Sequence, residues 1–105
     1  MSEESDSPVP YHVSYSGSVR QRLVSLSEQA IEHGLGVTYL ASLEEVDRRL
    51  RIYPQFGEPL ADLKLIPAQL WIGTVWPLVL RYSLDDERRL VMVVAPFLLL
   101  PRPIS

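Results

Sequence analysis

Residues 77–94 read Pro-Leu-Val-Leu-Arg-Tyr-Ser-Leu-Asp-Asp-Glu-Arg-Arg-Leu-Val-Met-Val-Val, two apolar segments on either side of a charged centre. The flanks carry β-branched and aromatic residues, and the centre, Asp85-Asp86-Glu87, is acidic. Flanks of this kind around a short polar tip are typical of a β-hairpin. We therefore predict two antiparallel strands, Pro77 to Leu84 and Arg88 to Val94.

The alternation within these strands predicts which side chains share a face. In the first strand, one face carries apolar side chains at every second position: Leu78, Leu80, Tyr82 and Leu84. The opposite face carries Val79, Arg81 and Ser83, because successive side chains of a strand point to opposite sides. The second strand is apolar on both faces, which predicts a central position or cover on both sides.

The segment before the hairpin also has the composition of a strand. Leu60 to Ile66 and Ala68 to Ile72 are mostly apolar and are separated by Pro67. Proline donates no hydrogen bond to a sheet, so two interpretations are open. Either the two pieces form one strand with a bulge at the proline, or a loop leads into a single strand.

A first helix is predicted between residues 16 and 34. Ser16 and Ser18 offer N-caps, and Gly34 and Gly36 supply the left-handed conformation that ends many helices. The residues of the buried stripe are spaced by four, three and four: Val19, Leu23, Leu26 and Ala30. This spacing is that of one helical face packed on a core.

A second helix is predicted to begin at Ser42, because Ser42 and Glu45 have the spacing of a capping box. Pro54 stops this helix. Its apolar residues are spaced by three, four and three: Leu43, Val46, Leu50 and Tyr53. Two pairs of opposite charges lie four residues apart and are expected to form ion pairs on the outer side: Glu44 with Arg48, and Asp47 with Arg51.

At the start of the chain, residues 1–8 form an acidic leader that we expect to be disordered. From Val9 to Tyr15, apolar and polar residues alternate, which predicts a first strand at or near an edge since Pro10 cannot donate to a ladder. Residues 9–105 are then one α+β domain of order β-α-α-β-β-β. Two helices pack on one face of a mostly antiparallel sheet.

Composition excludes several function classes. The chain has no cysteine, which removes disulfides, thiolate metal sites and thiol nucleophiles. Three of its thirteen acidic residues lie in the leader, and the remaining ten match the ten basic residues. A neutral domain lacks the basic excess that drives non-specific phosphate binding. We find no secretory signal and no apolar run of about 20 residues, so we expect a cytoplasmic protein without a membrane span.

Metal and cofactor sites are not predicted. His12 and His33 lie on different elements without a carboxylate at ligand spacing. His33 lies in the last turn of the first helix, where the helix dipole favours a cation, and His12 is expected to face solvent. The carboxylates of Glu44-Glu45 and of the hairpin tip are expected to be solvated and to keep ordinary acidity.

The remaining candidates for chemistry are basic and phenolic side chains: Lys64, Arg81, Tyr82, Arg88, Arg89 and Arg102. Such groups suit a metal-free attack on an RNA phosphodiester, in which cations stabilise the growing phosphoryl charge and a tyrosine or histidine transfers a proton. These residues can also have purely structural roles. In this structural interpretation Arg88 and Arg89 neutralise the acidic turn, Tyr82 packs in the core and Lys64 is exposed to solvent. Arg81 stands out, because a buried arginine between apolar neighbours requires a partner.

From Tyr11 to about Leu100, the sequence resembles the RelE/ParE superfamily of toxins from type II toxin-antitoxin systems. The resemblance rests on four stretches: Tyr11-His-Val-Ser-Tyr15, Pro54-Gln-Phe-Gly-Glu-Pro-Leu-Ala-Asp-Leu-Lys64, Val79-Leu-Arg-Tyr-Ser-Leu-Asp-Asp86 and Leu90-Val-Met-Val-Val94. The third is similar to the family's recurrent valine-x-Tyr-x-x-Asp strand and turn.

The resemblance implies a small toxin that needs no cofactor and that a cognate antitoxin neutralises by wrapping around it. Family members either cleave mRNA on the ribosome without a metal or inhibit DNA gyrase. Lys64, Arg81 and Tyr82 match catalytic positions of the family. Catalytic members also carry an arginine where this chain has Val79, and a histidine or tyrosine where it reads Pro96 to Arg102, so the sequence leaves open whether the chain is an enzyme.

The alternative is a catalytically degenerate relative that acts as a protein-protein interaction module. Its candidate partner contacts lie in the C-terminal tail: Phe97, Leu98, Leu99, Leu100 and Arg102. These apolar side chains either pack on the domain or present an apolar patch to a partner.

Overall fold

The computed structural model describes residues 9–63 and 68–100 of the chain. These residues form a strand, two helices and then four further strands. The elements are β1 (His12–Tyr15), α1 (Gly17–Glu32), α2 (Gly36–Ile52), a short 3-10 helix (Pro54–Phe56), β2 (Glu58–Leu63), β3 (Ala68–Val75), β4 (Leu78–Asp85) and β5 (Leu90–Leu98). The α+β class and the packing of both helices against a mostly antiparallel sheet are confirmed.

The strands form a single sheet of order β1-β5-β4-β3-β2. The neighbours β2–β3, β3–β4 and β4–β5 are antiparallel, whereas β1 lies parallel to β5. The predicted hairpin is confirmed, because β4 and β5 are joined by the turn at residues 86–89. The first strand lies at an edge, as Pro10 suggested.

The region before the hairpin contains one strand more than predicted. Both interpretations of residues 60–72 were wrong, because β2 and β3 are separate strands that pair antiparallel with each other. Pro59 is tolerated because β2 is an edge strand and because the register shifts between Pro59 and Ala61. Pro67, on which the prediction turned, lies outside the described residues.

Helix α1 follows its prediction closely. The Ser16 hydroxyl caps it by accepting a hydrogen bond from the Val19 N–H at 3.2 Å. Gly34 follows the helix with a φ of 74°, the left-handed conformation that glycine adopts without strain. The stripe packs on the core as expected, with Val19, Leu26 and Ala30 buried and Leu23 against them.

Helix α2 begins seven residues earlier than predicted, since its N-cap is Leu35 rather than Ser42. Gly36 is its first residue, so Ser42 lies in its interior rather than at its N-cap. The buried Ser42 hydroxyl instead contacts two carbonyl oxygens, Thr38 O at 2.9 Å and Trp76 O at 2.6 Å. The early start is stabilised by Tyr39, which is buried and donates from its hydroxyl to Leu23 O at 2.7 Å.

The ion pairs on α2 are partly as expected. Asp47 pairs with Arg51 at 2.9 Å. Arg48 binds Glu45 rather than Glu44, and Arg49 binds the same carboxylate, each at 2.6 Å. Hydrogen bonds from Arg48 and then Arg49 lower the pKa of Glu45 to about 2. Glu45 therefore forms ion pairs with two arginines and is not part of a capping box.

The core lies between the helices and one face of the sheet, called here the inner face. The alternation predicted for β4 is confirmed, since its inner side chains are all buried: Leu78, Leu80, Tyr82 and Leu84. Val91 and Val93 of β5 join them, as do Val13 of β1 and Tyr11 just before β1. Of the predicted α2 stripe, Val46 and Leu50 are buried, but Tyr53 is exposed because the helix ends at Ile52.

Strand β5 extends four residues beyond its predicted end, to Leu98, and includes Pro96. It lies between β1 and β4, which confirms the central position. Because β1 pairs with Leu90 to Val93, Pro96 lies beyond this pairing, and its missing N–H removes no bond between β1 and β5. On the other face of β5, Leu90 and Met92 are exposed, so cover on both sides is not found at these positions in the described part of the chain.

No helix in the described part of the chain is long and apolar enough to cross a membrane.

Candidate functional site

The face of the sheet opposite the helices, called here the outer face, carries the polar groups of the hairpin. Cross-strand register arranges it in rows. Asp85 lies opposite Leu90, which pairs with His12. In the next row Ser83 lies opposite Met92, which pairs with Ser14. Paired residues lie about 5 Å apart, so each row brings three strands together.

Arg81 occupies the next row of the outer face, between Ile72 of β3 and Ala95 of β5. The expectation that it is buried was wrong, because its side chain is exposed to solvent. Within residues 9–63 and 68–100, no hydrogen bond or ion pair engages it. The register of β4 and β5 shifts between Arg81 and Tyr82, a bulge of the kind that redirects side chains. Arg81 thus presents a free guanidinium to the outer face.

Tyr82 points to the inner face and is completely buried. Its hydroxyl donates to Pro54 O at 2.5 Å, and its ring stacks on Phe56 with the centroids 6.2 Å apart. Burial raises the pKa of Tyr82 to about 12, and a hydrogen bond with the Gly57 backbone partly opposes this shift. The structure therefore places Arg81 and Tyr82 on opposite sides of β4 and does not bring them together.

The other predicted cations lie apart from Arg81. Lys64 and Arg102 lie outside the described residues. Arg89 stacks over the Tyr11 ring, 5.0 Å from its centroid, and donates to Val9 O at 3.0 Å. Arg88 is exposed beside Asp85. Arg88 thus lies at the acidic turn, as the structural interpretation expected, whereas Arg89 contacts the segment just before β1.

The two histidines are separated as predicted. His12 is exposed on the outer face of β1, two strands and several residues along the sheet from Arg81. His33 follows α1, and its Nδ1 lies 3.0 Å from Gln29 O. In the part of the chain that the structure describes, no three His, Cys, Asp or Glu side chains converge in a way that could hold a metal ion.

The C-terminal candidates belong to the sheet rather than to a free tail. Phe97 lies opposite Val79 on the outer face, and Leu98 lies opposite Leu78 and packs against the core. The Leu99 N–H donates to Pro77 O at 2.8 Å, while the Leu99 side chain is exposed and Leu100 is half-buried. Among residues up to 100, Leu99 is therefore the exposed member of this set, and Phe97 is half-buried.

Sequence reasoning missed Asp85. We expected a solvated carboxylate at the hairpin tip, but Asp85 is the last residue of β4 and is buried. Its Oδ1 accepts a hydrogen bond from the Arg88 N–H at 3.1 Å. The alternation Arg81, Ser83, Asp85 carried the signal, because residues two apart in a strand share a face.

Asp85 lies in the wall of a cavity of about 270 Å³ on the outer face, called here the Asp85 cavity. Residues from β1, β3, β4, β5 and the turn line it: Ser14, Ala68, Ser83, Asp85, Arg88, Leu90, Val91 and Met92. The walls combine a carboxylate, two hydroxyls and apolar side chains. Such a mixture of apolar surface with a few placed polar groups is typical of binding sites.

Comparison with known proteins gives one result on the fold. No protein-family model matches the chain, and no curated protein sequence matches it. A chain in the crystal structure of the toxin-antitoxin complex RelBE2 from Mycobacterium tuberculosis superimposes with a TM-score of 0.61 and 23% sequence identity. The match covers 86% of this chain and 99% of that chain. The fold implied by the RelE/ParE resemblance is thereby confirmed: this chain has the fold of a chain of a toxin-antitoxin complex.

Proposed function

We propose that this chain is the toxin-like component of a type II toxin-antitoxin module, and that a cognate antitoxin segment covers its outer face. The proposal is supported first by the fold shared with a chain of the RelBE2 complex over nearly that whole chain. It is supported second by the state of the outer face, which carries an unpaired arginine and exposed apolar side chains.

The observation that carries the proposal is the exposure of Leu90 and Met92 on a central strand. Met92 is 56% exposed and Leu90 43% exposed, although β5 has neighbours on both sides. Apolar side chains exposed side by side with polar groups around them are a mark of protein-protein interaction sites. An antitoxin segment lying across this face would bury them.

The experiment is co-expression with the small gene that lies next to the gene of this chain. Expression of the chain alone should slow growth, and co-expression should restore growth and yield a complex that co-purifies. Met92→Asp should abolish co-purification, because a partner cannot bury an unpaired carboxylate without a large penalty. Val24→Asp is the matched control, since Val24 is 62% exposed but lies on α1.

A complex that survives Met92→Asp and is lost with Val24→Asp would contradict the assignment to the outer face. A harmless chain with no co-purifying product of a neighbouring gene would contradict the proposal as a whole.

A metal-free mRNA endoribonuclease activity is the second candidate, favoured by the free guanidinium of Arg81. A cation in that position can stabilise the charge that develops on a phosphoryl group. Primer extension on mRNA after induction tests this activity. Cleavage that disappears with Arg81→Ala supports a ribonuclease, whereas growth inhibition that persists without cleavage supports DNA gyrase as the target, to be checked by a supercoiling assay.

The alternative, a catalytically degenerate relative that acts as an interaction module, predicts a different outcome for these variants. In that case Arg81→Ala leaves the growth phenotype unchanged, and a charged residue at Phe97 or Leu99 disrupts the complex. The roles of Lys64, Tyr82, Leu98, Leu100 and Arg102 stay predictions. Tyr82 is the least favoured of the catalytic set, because its hydroxyl is already bonded in the core.

A further inference from the structure

We propose that the Asp85 cavity is an anchor site for an arginine side chain of the partner segment that covers the outer face. This inference rests on the proposed function, because it names the chemistry by which that partner is recognised. It concerns a part of the outer face that lies two rows from Arg81.

The carboxylate of Asp85 is the first reason. Its side chain is only 11% exposed, and its Oδ1 is bonded to the Arg88 N–H. Its Oδ2 lies 4.0 Å from Arg88 Nε, beyond hydrogen-bond distance, and the Arg88 side chain is 71% exposed. Asp85 lines the cavity, and its Oδ2 accepts no hydrogen bond from a described residue. Because no buried side-chain oxygen in the described part of the chain lacks a partner, Oδ2 is reached by solvent and is open to a ligand. A cationic donor is the group that such an oxygen binds most strongly.

The neighbouring hydroxyls are the second reason. Ser83 and Ser14 line the same cavity, on the two strands that flank Met92. With Asp85 they place hydrogen-bond acceptors on β1 and β4. A guanidinium has five N–H donors in a fixed plane and can satisfy several acceptors at once, whereas an ammonium is a compact point charge. The cavity therefore favours arginine over lysine.

The third reason is that the cavity has apolar surface beside the charged residues of the turn. The segment from Asp85 to Arg89 holds three carboxylates and two arginines. Arg89 and Asp86 both contact Tyr11, so Asp85 and the exposed Arg88 are the charged side chains that line the cavity. Leu90 and Met92 offer apolar surface on which the methylene stem of an arginine can lie. A partner that inserts an arginine here also covers the exposed side chains of β5.

The test is an NMR titration of the full chain, labelled with nitrogen-15, with three probes. The probes are N-acetyl-arginine methylamide, its uncharged isostere N-acetyl-citrulline methylamide, and guanosine monophosphate. The arginine probe should shift the amide signals of Ser14, Ser83 and Met92, and the citrulline probe should not. Equal shifts from both probes, or binding of the nucleotide alone at these residues, would overturn the inference in favour of an apolar or a nucleobase site.

Two variants of neighbouring carboxylates make the test specific. Asp85→Asn keeps the acceptor for the Arg88 N–H and removes the charge, so it should weaken arginine binding about tenfold or more. Asp86→Asn is the matched control and should leave binding unchanged, since Asp86 accepts hydrogen bonds from Tyr11 and Gln55 elsewhere in the turn. If Asp85→Asn fails to fold, Ser83→Ala serves instead and should weaken binding. Unchanged affinity in the folded variant would refute the anchor site.

The outcome separates this inference from the proposed function. A co-purifying partner whose binding survives Asp85→Asn and Ser83→Ala refutes the anchor while the toxin-antitoxin proposal stands. Arginine binding that is lost with Asp85→Asn, in a chain without any partner from a neighbouring gene, refutes the toxin-antitoxin proposal and leaves an arginine site.

Discussion

The hydroxyl of Tyr82 donates a hydrogen bond to the backbone carbonyl of Pro54 at 2.5 Å. This bond joins the middle of β4 to the short 3-10 helix that follows α2. The Tyr82 ring stacks on Phe56, and the Arg49 guanidinium lies 5.4 Å from the Phe56 ring centroid. Tyr82 is thus bonded and packed as a structural residue at the junction of the helices and the sheet.

Replacing Tyr82 by phenylalanine should lower the free energy of unfolding by about 1–3 kcal/mol, because the Pro54 carbonyl loses its buried donor. Urea denaturation followed by circular dichroism measures the loss. Tyr53→Phe is the control, and since Tyr53 is exposed we expect a change within about 0.5 kcal/mol. Equal stabilities for the two variants would contradict a structural role for the Tyr82 hydroxyl.

The stability of the protein should depend on Tyr82 in alkali. Its pKa is raised from 10.0 to about 12, so the protonated form is favoured in the folded state. The corresponding stability is fully present below pH 10 and is lost as the pH rises through about 12. Between about pH 9 and pH 11 the wild type should therefore lose about 1–1.5 kcal/mol more than Tyr82→Phe. Urea denaturation of both proteins at the two pH values measures this, and parallel losses would contradict it.

Gly57 should not tolerate a side chain. A Cβ there would lie 2.3 Å from the Ile72 carbonyl oxygen and 2.7 Å from the Tyr82 hydroxyl. We expect Gly57→Ala to destabilise the fold by about 3 kcal/mol, as overpacking of a closed site does. A Cβ at Gly17 meets no atom within 4 Å, so Gly17→Ala should be neutral or stabilise α1 by up to about 1 kcal/mol. Thermal unfolding of both variants compares them, and a stable Gly57→Ala protein would show that the junction is looser than described.

Ser42→Ala tests the corrected start of α2. Loss of the hydrogen bond from Ser42 to Trp76 O should cost about 1–2 kcal/mol. Helix content should not fall, since alanine suits a helix interior. A true N-cap serine would instead lose helicity with the same change. Far-ultraviolet circular dichroism and urea denaturation on one sample distinguish the two outcomes.

Local sequence patterns predicted the elements whose signals are themselves local. The hairpin of β4 and β5 follows from two apolar flanks around acidic residues, and α1 from one stripe with a serine cap and a glycine end. The inner face of β4 follows from period-two alternation. In each case the residues that define the element lie within a few positions of one another.

The predictions from sequence were wrong where contacts between residues far apart in the chain determine the structure. Gly36, Val37 and Thr38 have low helix propensity, yet α2 begins there because Tyr39 is buried and bonds to Leu23 in α1. Ser42 has the look of a cap but binds Trp76, 34 residues away. The segments of β2 and β3 were predicted as one strand with a bulge or as a loop leading into one strand, because no local pattern around Pro67 indicates that the two segments pair with each other.

By itself the sequence determined the α+β class, the β4–β5 hairpin, the helix α1 and the side of β4 on which Arg81, Ser83 and Asp85 lie. Alternation along one strand is enough for this, because it depends only on backbone geometry. Only the tertiary structure decided which of these three side chains is free. Arg81 lies between Ile72 and Ala95 in the sheet, and its side chain is exposed. Asp85 is buried next to the turn and the neighbouring strands. The burial of a side chain depends on which other segments of the chain pack against it, and a local sequence pattern does not contain that information.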